Sequence, residues 1–159
     1  IITDLNHLCP DMIRLIFRIQ PYSKFCLISD SNYISGLPAG TYLRYGRENY
    51  ADEKGLILNS DGRICGSGSW VLRNIRQLVQ VVGIPVEQAF YMASLYPARY
   101  LGIDQETGSL RNGKRADMIF VDEDFICQRT FVGGKQVFDR KEDMTEKILN
   151  AEAMKLKVK

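Results

Sequence analysis

A short run of apolar residues without polar alternation constrains the fold of this 159-residue chain more than any other feature. The run covers residues 25–29, Phe-Cys-Leu-Ile-Ser, and a run of this kind is typical of a strand buried on both faces, as in a parallel sheet. A helix over about residues 10–20 is predicted before it, from Pro10 and from apolar residues at helical spacing. A helix followed by a buried strand is the repeating step of α/β barrels and doubly wound sheets. The order therefore favours the α/β class.

The rest of the chain changes its pattern twice. Seven glycines between residues 34 and 69 predict short strands and hairpins, and helical spacing of apolar residues resumes at Trp70. Glycine and proline then delimit further helices up to about residue 101. A strand of the buried type is predicted over 118–121, and a hairpin about Gly133-Gly134.

Composition places the chain among globular proteins and excludes several classes. It is 45% apolar and 25% charged, and its net charge of +2 gives no electrostatic case for nucleic acid. No apolar run approaches the roughly 18 residues that a membrane span needs. The four cysteines form no C-x-x-C pair, which excludes a zinc knuckle. Since no secretion signal precedes them, we expect reduced thiols in a cytoplasmic protein.

Asp30 is the first candidate for chemistry because it directly follows the apolar run. A carboxylate at the carboxyl end of a parallel strand lies where α/β enzymes place their active sites. There it could serve as a general base, a general acid or a metal ligand. The alternative is an Asx turn or a helix cap, since Ser-Asp-Ser-Asn is also ordinary turn chemistry.

His7 is the only histidine in the chain. A neutral imidazole at the end of the apolar opening segment could orient a substrate hydroxyl or carbonyl. The alternative is a histidine at a helix entry with a satisfied hydrogen bond. A His-based metal site needs several imidazoles or carboxylates that converge, so we expect most ligands of any metal to lie outside this chain.

Residues 64–69, Ile-Cys-Gly-Ser-Gly-Ser, enter the helix predicted from Trp70. A glycine-rich entry to a helix N-terminus exposes amide donors and suits an anionic or hydroxyl-bearing ligand. The alternative is an N-cap and a flexible turn, which needs no ligand. Residues 108–117 lead into a strand instead of a helix, so a tight turn is favoured there over a phosphate loop.

These segments, taken in chain order, form a set of motifs. The set comprises Asp4-x-x-His7, Ser29-Asp30, Gly36-Leu37-Pro38-Ala39-Gly40-Thr41-Tyr42, Gly62-x-Ile64-Cys65-Gly66-Ser67, Arg73-Asn74-x-x-x-Leu78-Val79, Met92-Ala93-Ser94-Leu95-Tyr96-Pro97-Ala98-Arg99, Gly108-Ser109-Leu110-x-x-Gly113-Lys114-x-Ala116-Asp117 and Val132-Gly133-Gly134-Lys135. The set resembles the C-terminal part of N-acetylglucosamine-6-phosphate deacetylases of the amidohydrolase superfamily, over roughly residues 1–139. The turn at 108–117 occurs across amidohydrolases in general, whereas the Asp4-to-His7, Leu37-Pro38 and 64–67 segments are particular to the deacetylases.

The resemblance implies a fold and an assembly. This chain would be the C-terminal part of a TIM-like (β/α)8 barrel of a metal-dependent hydrolase, joined to part of a small β-sandwich. Residues 1–107 would belong to the barrel, with a turn-rich β insert over about 34–66. Residues 108–139 would supply sandwich strands, and 140–159 a polar C-terminal helix or tail. The complete protein would be a homodimer that binds divalent metal, zinc or similar.

The resemblance also implies an activity on a small amino-sugar phosphate. The family hydrolyses the acetamide of N-acetylglucosamine 6-phosphate to acetate and glucosamine 6-phosphate, in amino-sugar catabolism. By similarity, Asp30 would take a proton from a metal-bound water and pass it to the leaving amine. His7, with the backbone around Asn6, would bind the sugar or its acetyl group. The loop over the substrate would consist of Ile64, Cys65 and Gly66.

Several departures from the family pattern matter. Leu5 stands where the family usually has glycine, and Ser31 stands where it usually has alanine. Both changes leave the identity of the substrate sugar undecided, and the galactosamine epimer is one alternative. The family's metal ligands and phosphate-binding arginine belong to its N-terminal part, so no metal ligand is assigned here. Because the chain opens at Ile1 without an initiator Met, we expect it to be part of a longer protein. Because those ligands and the arginine would lie outside it, we expect the chain alone to be inactive and metal-free.

Two alternatives to this activity stay open. Another amidohydrolase, such as a cyclic-amide hydrolase or a deaminase, would share the turn at 108–117 but act on a different substrate. A truncated, non-catalytic module that self-associates would give Asp30 no function.

Overall fold

A computed structural model describes residues 1–44 and 46–141 of the chain. These residues group into two compact units. Among the described residues, the first unit combines Ile1–Ile28 with residues 71–141, and the second comprises Ser29–Trp70. The predicted polar helix or tail over 140–159 lies outside the described residues from residue 142 on. The assignment of residues 1–107 to a barrel and 108–139 to a sandwich stays a prediction.

The helices all lie in the first unit as far as the chain is described. They are α1 Pro10–Ile19, a 3-10 turn Tyr22–Lys24, α2 Val71–Gln77 continuing as a π-helical segment Leu78–Val82, α3 Val86–Ala93 and α4 Leu95–Tyr100. The helix predicted at about 10–20 is confirmed, as are Gly83 as the stop of α2 and Pro85 as the start of α3. Gly83 has φ 88°, the left-handed conformation that commonly ends a helix. None of the described helices has the length and hydrophobicity of a transmembrane segment.

The core of the first unit forms where these helices bury one apolar stripe each. Ile13 of α1 is fully buried, and α2 with its π-helical extension contributes Ile75 and Leu78. The complete cluster is Ile13, Leu27, Ile75, Leu78, Val82, Ile84, Ala89, Met92 and Tyr96. For the members of this cluster that lie in α2 with its π-helical extension and in α3, spacing of three and four residues places the side chains on one helix face, as the sequence pattern predicts.

The run at residues 25–29 differs from its prediction. Leu27 is buried and its N–H donates to the Met92 carbonyl at 2.8 Å, but the side chain of Ile28 is 51% exposed. Ile28 pairs with Ile2 through one isolated parallel bridge. The prediction of a strand buried on both faces is therefore wrong for this structure. Alternate side chains of an extended segment point to opposite faces, and only the Leu27 face packs against the core of this unit.

The first unit also contains an antiparallel sheet of three strands, β5 Met118–Val121, β6 Cys127–Val132 and β7 Lys135–Asp139. The hairpin predicted about Gly133-Gly134 is confirmed as the β6–β7 turn. The predicted strand at 118–121 is confirmed, but its burial is not, because Phe120 is 51% exposed. The Phe120 ring packs edge-on against the Phe131 ring of β6, with 5.6 Å between the ring centroids.

The second unit is an antiparallel meander of four strands in the order β1-β2-β3-β4. The strands are β1 Gly40–Arg44, β2 Arg47–Ala51, β3 Leu56–Asn59 and β4 Ile64–Ser67. This confirms the short strands and hairpins that the glycine spacing predicts. The core of this unit is small and consists of Ile34, Tyr42, Ala51 and Ile57.

Candidate functional site

Asp30 occupies an exposed turn at the start of the second unit. Its backbone has φ 55°, in the left-handed region that non-glycine residues rarely adopt and that Asp and Asn tolerate best. The Asp30 carbonyl accepts a hydrogen bond from the Ser67 N–H at 2.8 Å, and Ser31 forms a parallel bridge with Ser67. The chain that carries the predicted catalytic carboxylate is thus fixed against the end of β4.

Serine and asparagine side chains tie residues 31–35 to β4 and the residues just beyond it. The Ser31 hydroxyl donates to the Ser69 carbonyl at 2.8 Å, and the Ser35 hydroxyl donates to the Ser67 carbonyl at 2.6 Å. The Asn32 amide donates from Nδ2 to the Cys65 carbonyl at 3.1 Å. The second unit therefore brings the Asp30 turn together with Ile64, Cys65 and Gly66, which were predicted as a loop over the substrate and lie in strand β4.

Gly66 allows the Asp30 turn to pack closely against β4. It is buried and has φ 138°, a conformation that side chains with a Cβ rarely adopt. A Cβ at this position would lie 3.1 Å from the Asp30 carbonyl oxygen and 3.1 Å from Asn32 Nδ2. The two other predicted loop residues flank this contact, with the Ile64 side chain 47% exposed and Cys65 half-buried.

The Cys65 thiol takes part in a polar chain. Its Sγ donates to Asn49 Oδ1 at 3.0 Å, and Asn49 Nδ2 donates to the Tyr33 hydroxyl at 2.5 Å. Burial raises the pKa of the Cys65 thiol above its ordinary value. The thiol is therefore protonated at neutral pH and acts as a hydrogen-bond donor, not as a nucleophile.

Asn6 and His7 lie together in the first unit, in a turn closed by Asp4. Asp4 Oδ1 accepts hydrogen bonds from the backbone N–H groups of Asn6 and His7, both at 3.0 Å. Its Oδ2 lies 2.9 Å from His7 Nδ1, and the Asp4 side chain is only 1% exposed. A carboxylate at Nδ1 fixes the tautomer of the neutral ring, which places the proton on Nδ1 and makes Nε2 an acceptor.

Helix α2 anchors two segments of the first unit. Asn74 is fully buried, and its Nδ2 donates to the Ile28 carbonyl at 3.3 Å. Gln77, three residues later on the same face, donates from Nε2 to the Asp4 carbonyl at 3.2 Å. One helix face therefore holds both the turn of His7 and the extended segment that ends at Ile28.

The structure distributes the predicted residues over its two units. Asp30, Ile64, Cys65 and Gly66 lie together in the second unit, and Asn6 and His7 lie together in the first. Two further residues, Asp4 and Asn32, were not predicted as members of the site. The spacing Asp4-x-x-His7 carries a signal for the first, whereas nothing local marks Asn32. Among the described residues, no group of three His, Cys, Asp or Glu side chains converges as a metal site would require.

Known proteins resemble this chain in sequence. The model of the amidohydrolase family matches residues 28–137. The N-acetylglucosamine-6-phosphate deacetylase of Vibrio furnissii is 36% identical over 138 residues, covering 87% of this chain and 34% of that protein. The putative N-acetylgalactosamine-6-phosphate deacetylase of Escherichia coli K12 is 32% identical over 135 residues, covering 85% of this chain and 80% of that protein.

Solved structures show the same relationship. The N-acetylglucosamine-6-phosphate deacetylase of Pasteurella multocida matches with a TM-score of 0.78 at 29% identity, covering 86% of this chain and 35% of its own. The enzyme of that name from Thermotoga maritima gives a TM-score of 0.78 at 25% identity, covering 87% and 38%. This chain thus spans about a third of the length of the Vibrio and Pasteurella proteins. With helices and strands arranged as in these structures and most of its length matched by the family model, the chain belongs to the amidohydrolase family.

Proposed function

We propose that this chain is the part of a deacetylase that carries its acid–base residue, and that the enzyme hydrolyses N-acetylglucosamine 6-phosphate to glucosamine 6-phosphate and acetate in amino-sugar catabolism. The observation that carries the proposal is the exposed Asp30 turn held against Ile64–Gly66 by the Ser67 N–H. Relatives and solved structures with this activity in their names support the substrate.

In the proposed mechanism, Asp30 moves one proton. As a carboxylate it takes a proton from the water that attacks the acetamide carbonyl carbon, and as an acid it returns that proton to the amine nitrogen when the C–N bond breaks. An exposed carboxylate can reach both water and substrate, and its backbone is held from behind. The hydrogen bond from the Ser67 N–H to the Asp30 carbonyl fixes the backbone that carries this carboxylate during both steps.

The remaining predicted residues bind the sugar phosphate in this proposal. His7, oriented by Asp4, presents Nε2 as an acceptor to a hydroxyl or as part of the contact with the acetyl group. The backbone about Asn6 is fixed by the same carboxylate. Ile64, Cys65 and Gly66 cover the substrate, with the apolar Ile64 side chain excluding water.

The family resemblance also implies a divalent metal ion such as zinc. Because no three donor side chains converge among the described residues, the residues present do not fit a metal centre by themselves. The proposal does include a TIM-like barrel to which residues 1–107 belong, a small β-sandwich with residues 108–139, and a homodimer.

A change of Asp30 to asparagine tests the proposal. Acetate release from N-acetylglucosamine 6-phosphate is measured with the product of the complete gene, as parent and as Asp30→Asn. Removal of a general acid and base is expected to lower kcat by about a thousandfold. Asp61→Asn, the same change at an exposed position of the β3–β4 turn, is expected to leave kcat unchanged. Equal turnover by parent and Asp30→Asn would contradict the role of Asp30, and an inactive parent would contradict the substrate.

The galactosamine epimer is a second candidate substrate. The relative from Escherichia coli K12, of which this chain covers 80%, carries N-acetylgalactosamine 6-phosphate in its name. The proposed chemistry at the acetamide is the same for both sugars, since they differ only in the configuration of one ring hydroxyl.

A further inference from the structure

Asn32 lies two residues after Asp30, and its side chain makes contacts in two directions. Its Nδ2 donates to the Cys65 carbonyl at 3.1 Å, and its Oδ1 accepts from the Ile34 N–H at 3.0 Å. The residue is half-buried. One amide group therefore closes the turn that follows Asp30 and also holds the backbone of β4.

The Asn32 amide packs closely against the backbone of β4. The place where a Cβ of Gly66 would stand is 3.1 Å from Asn32 Nδ2, so the amide lies directly against the Gly66 backbone. The Asn32 backbone is itself held, because its N–H donates to the Ser35 hydroxyl at 2.7 Å and that hydroxyl donates to the Ser67 carbonyl. These two bonds hold the Asn32 backbone beside β4, within reach of the Cys65 carbonyl.

Asp30 is held to β4 by a different hydrogen bond. Its carbonyl is held by the Ser67 N–H at 2.8 Å, a backbone bond that needs no side chain of residue 32. The Asp30 turn and the Cys65 carbonyl are thus held by separate bonds, and only the second bond depends on the Asn32 amide.

We propose that Asn32 is a positioning residue that holds Cys65 and Gly66 at a fixed distance from Asp30 and thereby sets the affinity for the amino-sugar phosphate. The inference rests on the proposed function, in which Ile64–Gly66 covers the substrate, and it assigns substrate affinity to a residue that does not touch the reacting atoms. Loss of the amide donor releases the loop residues. It leaves the proton transfer by Asp30 intact, because the Asp30 backbone keeps its own bond.

Two asparagines of the second unit provide a matched pair of variants. Asn32→Asp keeps an acceptor for the Ile34 N–H but replaces the Nδ2 donor with an oxygen that faces the Cys65 carbonyl. Asn59 Oδ1 accepts from the N–H groups of Asp61 at 3.0 Å and Arg63 at 2.9 Å, and Asn59→Asp retains both of these bonds. Both variants add the same charge. Asn32→Ala also removes the donor but adds no charge. It replaces Asn32→Asp in the test if Asn32→Asp does not fold.

The test combines steady-state kinetics on N-acetylglucosamine 6-phosphate with backbone hydrogen exchange, using the product of the complete gene. For Asn32→Asp, loss of one hydrogen bond and the new repulsion are expected to raise KM by about tenfold, with kcat changed by less than about twofold. Amide exchange over residues 64–67 is expected to become faster. Asn59→Asp is expected to match the parent in both measurements.

Several outcomes would overturn the inference. They are an unchanged KM in Asn32→Asp, a fall confined to kcat, and a higher KM without faster exchange at 64–67. These outcomes in an active parent leave the proposed function standing. A parent inactive on the sugar phosphate overturns the proposed function, and this inference with it.

Discussion

Leu5, which lies next to Asn6, and Asp30 have a left-handed backbone conformation that residues other than glycine rarely adopt. Leu5 has φ 62° and Asp30 has φ 55°, and a left-handed conformation costs an L-residue about 1–2 kcal/mol. At Leu5, hydrogen bonds from Asp4 to the next two backbone N–H groups hold the turn. A glycine at this position would adopt this φ without steric cost. The strain at Leu5 is therefore maintained by Asp4, and the position of Asn6 and His7 depends on that carboxylate.

The Asp4 carboxylate can be tested by a change of one atom. Asp4→Asn keeps Oδ1 for the backbone N–H groups, but puts an amide N–H where Oδ2 faced His7 Nδ1. Nδ1 must then accept, so the ring proton moves to Nε2 and the acceptor offered to substrate becomes a donor. We expect KM for N-acetylglucosamine 6-phosphate to rise about tenfold, the effect of losing one good hydrogen bond.

Nitrogen NMR of the complete gene product checks the tautomer directly, with the His7 signals assigned by their loss in a His7→Gln variant. Asp11→Asn is the control, because the Asp11 side chain is 91% exposed. A His7 spectrum that is the same in Asp4→Asn as in the parent would show that Asp4 does not set the tautomer.

Elements bounded by strong local signals are the ones that the sequence predicts well. Pro10 fixes the start of α1, Gly83 ends the π-helical extension of α2, and Gly133-Gly134 forms the β6–β7 turn. Each signal acts within a few residues, because proline fixes its own φ and lacks a backbone N–H donor, whereas glycine readily adopts a positive φ. The burial of residues 25–29 and 118–121 was predicted less well, because burial depends on what packs against both faces of a strand. A hydrophobic run carries no information on its neighbours in space.

The three-stranded sheet carries a carboxylate whose ionisation stabilises it. Asp117 Oδ1 accepts from the Gly133 N–H at 2.8 Å, which ties the β6–β7 turn to the residue before β5. This hydrogen bond, with a further one from Arg115, holds the pKa of Asp117 below its ordinary value. A lowered folded-state pKa stabilises the fold at pH values above the unfolded pKa of about 4, and this stabilisation is lost as the pH falls through the folded value.

Urea unfolding between about pH 6 and pH 2 measures this dependence. The midpoint is expected to fall as the solution becomes more acid, and less steeply in Asp117→Asn, which keeps an acceptor for Gly133 without a titrating group. Glu123 lies in the exposed turn after β5, and the midpoint of Glu123→Gln is expected to fall as steeply as that of the parent. Identical slopes for Asp117→Asn and the parent would show that the contact between Asp117 and Gly133 contributes nothing to acid sensitivity.

At the scale of the whole molecule, the motifs predict the family because they record close backbone approaches. Gly66 is one of these, since a Cβ there would lie 3.1 Å from the Asp30 carbonyl. The family model and the deacetylase structures confirm that prediction. Asn32 could not be predicted, because its contact with Cys65 joins residues 33 positions apart. The sugar is a harder problem still, since two epimers differ at one hydroxyl and no motif in this chain specifies a contact with it.

The choice between the epimers is a measurable property of the complete enzyme. The Vibrio furnissii glucosamine-type relative is 36% identical to this chain, and the galactosamine-type relative from Escherichia coli K12 is 32% identical. We therefore expect N-acetylglucosamine 6-phosphate to be preferred. A site built to bond the equatorial hydroxyl leaves a buried group unpaired when that hydroxyl is axial, which costs about 1–3 kcal/mol, or at least about fivefold in kcat/KM.

Acetate release from both sugar phosphates at matched concentrations gives the ratio of kcat/KM. N-acetylglucosamine without the phosphate, run beside them, separates recognition of the hydroxyl from recognition of the anion. A reversed ratio would assign the enzyme to the galactosamine epimer and leave the proposed roles of Asp30 and Asn32 unchanged, because the acetamide and its water are the same in both substrates. A ratio near one would mean that the ring hydroxyl is not bonded by the protein, and that selectivity comes from the acetamide and the phosphate alone.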